Sequence, residues 1–285
     1  MSEIQRTKET LGAAFAGTHI EALSCDQTRR SAVITGGAGS LGVAVTAALL
    51  RENYRIVLID SDKDRLRRST ADLTCLGDVT GLHADVGEYE PLRQCFEKAN
   101  KVLDGINLLV CCARMTYEGE VREISLDQWH RVINTNLTGS MYSSVLASDY
   151  MIGQDDACIV HMADIYSRIG SGAHGAVSAA AAGIVAMSRS LAADLESSGV
   201  RCVSISPFTV MTDSRRKKDQ VDPHWREIQE EAVLDQRILK PEEVADVVRF
   251  VGSGQGSTLN AVDIAVDGGM SVFRERPMAS PYVNV

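Results

Sequence analysis

Short runs rich in apolar and β-branched residues recur along the chain, at residues 32–35, 55–60, 81–85, 107–112, 158–162, 201–205 and 262–266. Strands that are apolar at successive positions are those buried on both faces of a sheet. Between them the apolar positions take a helical spacing, at residues 41–51, 62–75, 91–103, 126–151, 175–196 and 241–251. This alternation predicts an α/β chain with a doubly wound parallel sheet of about seven strands and helices on both faces. One long segment, residues 209–236, breaks the pattern. It is polar and carries the basic run Arg215-Arg216-Lys217-Lys218, and a run of like charge reads as a solvated face.

Composition adds bounds. A chain of 285 residues that is 45% apolar can bury one large core, so a single domain is expected. A net charge of −9 argues against nucleic acid and anionic membrane as partners, because both select basic surfaces. No uninterrupted apolar run approaches the roughly 20 residues that cross a bilayer. The polar N-terminal residues lack the basic-then-apolar layout of a signal peptide, which predicts a soluble, cytoplasmic protein. Seven cysteines without metal-ligand spacing fit reduced thiols; no metal site is expected, and Cys111-Cys112 reads as strand packing.

Candidate chemistry begins at Thr35-Gly36-Gly37-Ala38-Gly39-Ser40-Leu41-Gly42, which follows the first strand and opens a helix. Glycines there allow a tight turn and close approach of backbone to a pyrophosphate, which then sits on the helix N-terminus. Asp60, followed by Ser61, ends the second strand at about the spacing of a ribose-binding acid. Alone, such a loop is equally a strand-to-helix turn. The strand before, the helix after and Asp60 favour a Rossmann-like dinucleotide site.

The motifs beyond it resemble the short-chain dehydrogenase/reductase family over about residues 30–270. Asp85-Val86 matches its adenine-contact pair, and Cys111-Cys112-Ala113-Arg114 its Asn-Asn-Ala-Gly, placing Arg114 at a glycine position. Pro207 and Thr212 match cofactor contacts after the sixth strand, with Phe208 in place of a glycine, and Ser40 replaces the middle glycine of the loop. Asn136, within Asn134-Thr135-Asn136-Leu137-Thr138-Gly139, is the one catalytic position retained. The family's serine, tyrosine and lysine are replaced by Asp164, Val177 and Ala181. The resemblance implies a Rossmann-like domain over residues 31–270, a lid at about 209–236, an N-terminal extension (1–30) and a C-terminal tail (271–285).

A site without that tyrosine lacks the general acid a ketone needs, worth about 10²–10⁴ in rate. An iminium ion takes hydride without taking a proton, and an anion such as Asp164 favours it. Asp164, the lost tyrosine and lysine, and Asp222-Pro223-His224-Trp225 in the lid together resemble the fungal bifunctional reductase/Diels–Alderases of the paraherquamide, malbrancheamide and citrinadin pathways. The resemblance implies NADPH-dependent reduction of a prenylated-indole monooxopiperazine cation, then intramolecular [4+2] closure to a bicyclo[2.2.2]diazaoctane. It also implies a catalytic role for Arg131, and a homodimer or homotetramer. Trp225, Phe208, Met115, Tyr117, Tyr166 and Met162 are candidate substrate lining.

Alternatives stand beside these assignments. Asp164 also fits a helix or turn cap, the lesser reading beside a functional anion. Arg131 precedes Asn136 by five residues, roughly 140° around an ideal helix, which can turn it out of the pocket. Asn136 can serve the helix, and His161 reads as structural. Tyr166 or His174 can replace the lost proton donor in an ordinary carbonyl reductase, and an intact cofactor half also fits a catalytically dead regulatory or interaction protein. Asp60 favours NADH, the resemblance NADPH, and Lys63, Arg65 and Arg67 offer compensating charge.

Overall fold

The computed structural model describes residues 29–272. Seven strands, β1 (Ser31–Thr35), β2 (Arg55–Asp60), β3 (Val79–His83), β4 (Leu108–Cys111), β5 (Cys158–Met162), β6 (Arg201–Pro207) and β7 (Asp263–Val266), form one sheet in the order β3-β2-β1-β4-β5-β6-β7. Every neighbouring pair is parallel. The strand order reverses between β1 and β4, and the crevice at their C-terminal ends is where open α/β sheets take ligands. The expected N-terminal extension and C-terminal tail fall almost entirely outside the described residues.

The apolar strands divide their side chains between two cores, because successive residues of a strand point to opposite faces. Leu58, Val110 and Val160 pack on one face with Leu49 and Val248, whereas Val57, Leu109 and Ile159 pack on the other with Phe96 and Met151. Helices α1 (Ser40–Arg51) and α9 (Pro241–Val251) cover the first face. Helices α3 (Tyr89–Leu103), α5 (Gly139–Met151) and α6 (Gly175–Asp194) cover the second, while α2 (Lys63–Leu73) packs on β3.

Three expectations change. Strand β3 starts and ends two residues early, because this edge strand is only half-buried and carries a weaker apolar pattern. The helix expected over 126–151 is two helices, α4 (Leu126–Ile133) and α5, joined by a π-helical turn at Asn134–Thr138. The lid is also helical, with α7 (Asp213–Val221) and α8 (Pro223–Glu231). Helix α6 has the length and mean hydropathy, 1.4, of a membrane span. Its buried stripe, Ala176, Val177, Ala180, Ala181, Ile184, Val185, Ser188 and Ala192, packs against the sheet and α4 as a core helix does.

Local chemistry sets the helix starts that matter to the site. Ser125 and Gln128 form a reciprocal capping box that begins α4, and Asp62 caps α2 through the Arg65 amide. Helix α1 begins at Gly39 with no side-chain cap and no acid in its first turn. Its N-terminal amides are therefore left to an anion.

Candidate active site

The glycine loop has the shape a dinucleotide requires. Gly36 has φ +63°, and a Cβ there would lie 2.5 Å from the Ala113 backbone. A Cβ on Gly42 would lie 2.4 Å from the Gly36 carbonyl, so α1 meets the loop only through glycine. Gly39, by contrast, faces the open side, where a Cβ would meet nothing closer than 3.3 Å. Thr35 is buried at the end of β1, and its carbonyl accepts from the Cys112 amide at 3.0 Å, setting the Cys112-Ala113 segment beside the loop.

Asp60 is buried beneath that loop. Its carboxylate accepts from the Ala38 amide at 3.0 Å and from the Asp62 amide at 2.9 Å, with Arg65 at 3.4 Å. One further acceptor position, on Oδ2, remains for a ribose hydroxyl. Ser61 follows at the strand end, its carbonyl 3.1 Å from His83 Nε2. Asp85 accepts from the Gly87 amide at 2.9 Å, and buried Val86 packs where a Cβ on Gly139 would meet it at 2.5 Å. Together these residues would hold a nicotinamide adenine dinucleotide across the switch point, with Pro207 at the end of β6 and Thr212 five residues on, at the start of α7 (Asp213–Val221).

Beside this cradle, β4 and β5 are adjacent, so the residues just past their ends are neighbours. Arg114 reaches across to Asp164, pairing its Nη2 with Oδ2. The Asp164 side chain is 5% exposed and the Arg114 side chain 26%, so most of this ion pair is desolvated. A buried carboxylate persists when a partner compensates it. Asp164 Oδ1 also accepts from the Tyr166 amide at 3.0 Å, which caps the short 3₁₀ turn Ile165–Ser167. The capping role and the charged role thus belong to one carboxylate.

Asn136 lies in the π-helical turn and clamps the strand-four loop through both ends of its amide. Its Oδ1 accepts from the Met115 amide at 2.7 Å, and its Nδ2 donates to the Met115 carbonyl at 2.9 Å. It therefore positions Met115 and, one residue earlier, Arg114. Arg131 is exposed on α4. The arginine brought to Asp164 is Arg114.

Val177 and Ala181 are buried on α6. With Ala113, Arg114, Asn136, Met162, Ala163, Asp164 and Ile184 they line a small cavity of about 10 Å³. That is room for about a single water. Around Val177 gather Met115, Tyr117, Trp129 and Tyr166, and Tyr166 also touches the neighbouring group of Ile165, Phe208 and Val233. Four of the six lining residues expected from sequence, Met115, Tyr117, Tyr166 and Phe208, thus form one apolar wall, and Met162 lines the small cavity. The sixth, Trp225, is buried on α8, with Lys218 Nζ 5.9 Å from its ring centroid.

Tyr166 stacks on His174 at 4.4 Å. Burial, and then the Asp164 charge, push the Tyr166 phenol above the ordinary tyrosine value, which makes it a weaker acid. His161, in contrast, is enclosed on β5 between Ser144 and Ser188 at 2.7 Å each, as a structural residue is.

The lid is fastened to this site in two places. The Asp213 amide donates to Ser40 Oγ at 3.0 Å, and Lys218 donates to Glu118 at 2.6 Å. Thr212, half-buried at the N-cap of α7, lies 3.0 Å from Ser214 through its hydroxyl. The basic run is thus only partly a solvated face: Arg216 and Lys217 are exposed, while Arg215 is half-buried and donates to the Val210 carbonyl at 3.2 Å. Arg215 and the Glu118–Lys218 pair went unread in the sequence, where a four-residue basic run gives no sign of which members turn inward.

The sequence profile of the family described as enoyl-(acyl carrier protein) reductase matches residues 36–271. The chain is 30% identical over 244 residues to 2-(S)-hydroxypropyl-CoM dehydrogenase 3 of Xanthobacter autotrophicus, covering 84% of this chain and 96% of that protein. It is likewise 30% identical over 250 residues to the short chain dehydrogenase/reductase dpchG of Colletotrichum higginsianum, covering 84% and 93%. The crystal structure of gox2181 superposes with a TM-score of 0.80 at 26% identity, covering 86% of this chain and 96% of that one. With the glycine cradle, the β3-β2-β1-β4-β5-β6-β7 sheet and these relatives in agreement, the chain belongs to the short-chain dehydrogenase/reductase superfamily.

Proposed function

We propose that this oxidoreductase reduces a cationic C=N group and not a ketone. The observation that carries the proposal is the Arg114–Asp164 ion pair standing against Val177 and Ala181, where relatives of the family carry a tyrosine and a lysine. Bound across the glycine loop, a reduced nicotinamide dinucleotide supplies the hydride. The hydride joins the C=N carbon, the π electrons pass to nitrogen, and a neutral amine results with no proton to be supplied. Asp164, held in an ion pair, has no proton to give but offers a negative charge to the cation. At about 4 Å and an effective dielectric of 20 that attraction is about 4 kcal/mol. Arg114 shares the carboxylate and reduces this.

The substrate proposed is a prenylated-indole monooxopiperazine cation, unsaturated enough that one hydride leaves a neutral azadiene, and the second step is intramolecular [4+2] addition of that azadiene to the prenyl alkene, giving a bicyclo[2.2.2]diazaoctane. Such a closure moves no proton, so the protein contributes orientation, worth up to about 7–11 kcal/mol in near-attack geometries. The wall of Met115, Tyr117, Tyr166 and Phe208 suits that task, with Trp225 contributing from the lid. NADPH is the cofactor proposed, with Lys63, Arg65 and Arg67 set against the charge of Asp60.

The test is NADPH and NADH oxidation with the prenylated-indole iminium substrate and with a matched ketone, with products resolved by chiral chromatography. Wild type is expected to turn over the iminium and give one bridged enantiomer, and Asp164→Asn to lose about a hundredfold or more. Faster turnover of the ketone refutes the proposal. A second reading, a cofactor-binding protein without catalysis, draws on the small size of the cavity beside Asp164, about 10 Å³. Dinucleotide binding without oxidation of either substrate selects it.

A further inference from the structure

Arg215 occupies the first turn of α7, half-buried between exposed or solvent-facing neighbours. One of its donors is used on the Val210 carbonyl. Val210 lies just past β6, which pairs with β5, and Lys218, one turn further along α7, is bonded to Glu118 in the loop after β4. The turn bearing Arg215 therefore lies along the same end of the sheet as Arg114 and Asp164. Among the described residues Asp164 is matched by Arg114 and Glu118 by Lys218, whereas Arg215 has no ion-pair partner. A partly desolvated cation without a counter-ion is costly, and its planar fork of donors matches a carboxylate or a carbonyl oxygen.

We infer that Arg215 is a specificity-determining residue that takes a substrate oxygen carried on the carbon next to the C=N group, either a carboxylate or an amide carbonyl. The inference rests on the C=N reductase reading and narrows its substrate class to α-imino carbonyl compounds. Such a substrate is held at two points, its C=N nitrogen facing Asp164 and its oxygen facing Arg215. The two contacts fix which face of the C=N group is presented. With a zwitterionic substrate the charge of the site also does not rise on binding, whereas a simple iminium ion adds a second uncompensated positive charge beside Arg215.

The experiment titrates the full chain, saturated with oxidised dinucleotide so that no turnover occurs, with three probes. These are 1-pyrroline-2-carboxylate, its carboxamide, and 2-methyl-1-pyrroline, which lacks the oxygen. Dissociation constants are read from tryptophan fluorescence. The carboxylate is expected to bind at least tenfold more tightly than 2-methyl-1-pyrroline. That advantage should vanish in Arg215→Met, persist in part in Arg215→Lys, and stay unchanged in Arg216→Met. A carboxamide as tight as the carboxylate identifies an amide oxygen as the partner, and a weak one identifies a carboxylate. Equal affinity for all three probes, binding of none, or an advantage that survives Arg215→Met overturns the inference. Absence of iminium turnover in the separate activity assay, with this binding pattern intact, sinks the reductase reading and leaves the oxygen site standing.

Discussion

Replacing His161 by asparagine should remove a pH dependence of stability that this one buried ring imposes. The ring is fully buried on β5, with Nε2 2.7 Å from Ser144 Oγ and Nδ1 2.7 Å from Ser188 Oγ. Ser144 donates its only hydroxyl proton to the Ser140 carbonyl at 2.8 Å, so Nε2 carries the ring proton and Nδ1 accepts from Ser188. Neutral histidine satisfies both serines in this arrangement. Burial drives the ring pKa from 6.5 down to about 4. As pH falls below 6.5 the unfolded chain takes up a proton that the folded chain refuses. Stability is therefore complete above pH 6.5, declines between 6.5 and about 4, and is flat below. At about 1.36 kcal/mol per unit, the loss reaches about 2 kcal/mol at pH 5 and about 3 kcal/mol in all. Urea denaturation of both proteins at pH 7.5 and pH 5.0 separates this group from the rest, since all other titrations are common to the two. His161→Asn should cost about 1–3 kcal/mol at the higher pH and about 2 kcal/mol less at the lower. An equal cost at both pH values refutes the reasoning.

Three further outcomes are expected. Gly36→Ala forces a Cβ onto the Ala113 backbone at positive φ, and should abolish dinucleotide binding measured by calorimetry while lowering stability by several kcal/mol, at least about 2. Ser40→Gly removes the acceptor of the Asp213 amide, and hydrogen exchange over α7 should quicken about fivefold, equivalent to about 1 kcal/mol. Arg201→Leu strips donors from the buried carbonyls of Val251, Gly256 and Leu259, which its guanidinium reaches at 2.9 Å each; chemical denaturation should show a loss of about 3 kcal/mol, and a loss below about 1 kcal/mol contradicts it.

Most of the sheet was legible in the chain because strands buried on both faces must be apolar at every position. β2 and β5 fall at the expected residues, β1, β4 and β7 differ by one residue at one or both ends, β6 runs two residues further, and β3, half-buried at the sheet edge, is displaced as a whole by two. Helices α7 and α8 were hidden because residues such as Arg216, Lys217, Glu227 and Glu231 leave little apolar face to read. The cradle glycines and Asp60 lie on one continuous β-α-β stretch, so spacing along the chain was enough. The Arg114–Asp164 pair spans fifty positions and becomes visible only when β4 is known to lie beside β5. With that adjacency, opposite charges just past two neighbouring strand ends are a readable signal. Arg215 required the path of the lid as well.

The π-helical turn at Asn134–Thr138 has a consequence for how this fold tolerates change in length. A π turn holds one residue more than the α-helical turn it replaces. Deleting one residue there would let α4 run straight into α5, and because the extra residue is taken up within that one wide turn, the two helices would keep their facing. The α5 serines would therefore stay against His161. The change falls on the turn itself, where a shift of one position redirects a side chain by about 100°, so Asn136 would leave Met115. A deletion that improves the regularity of the helix would thus spare the core and release the strand-four loop.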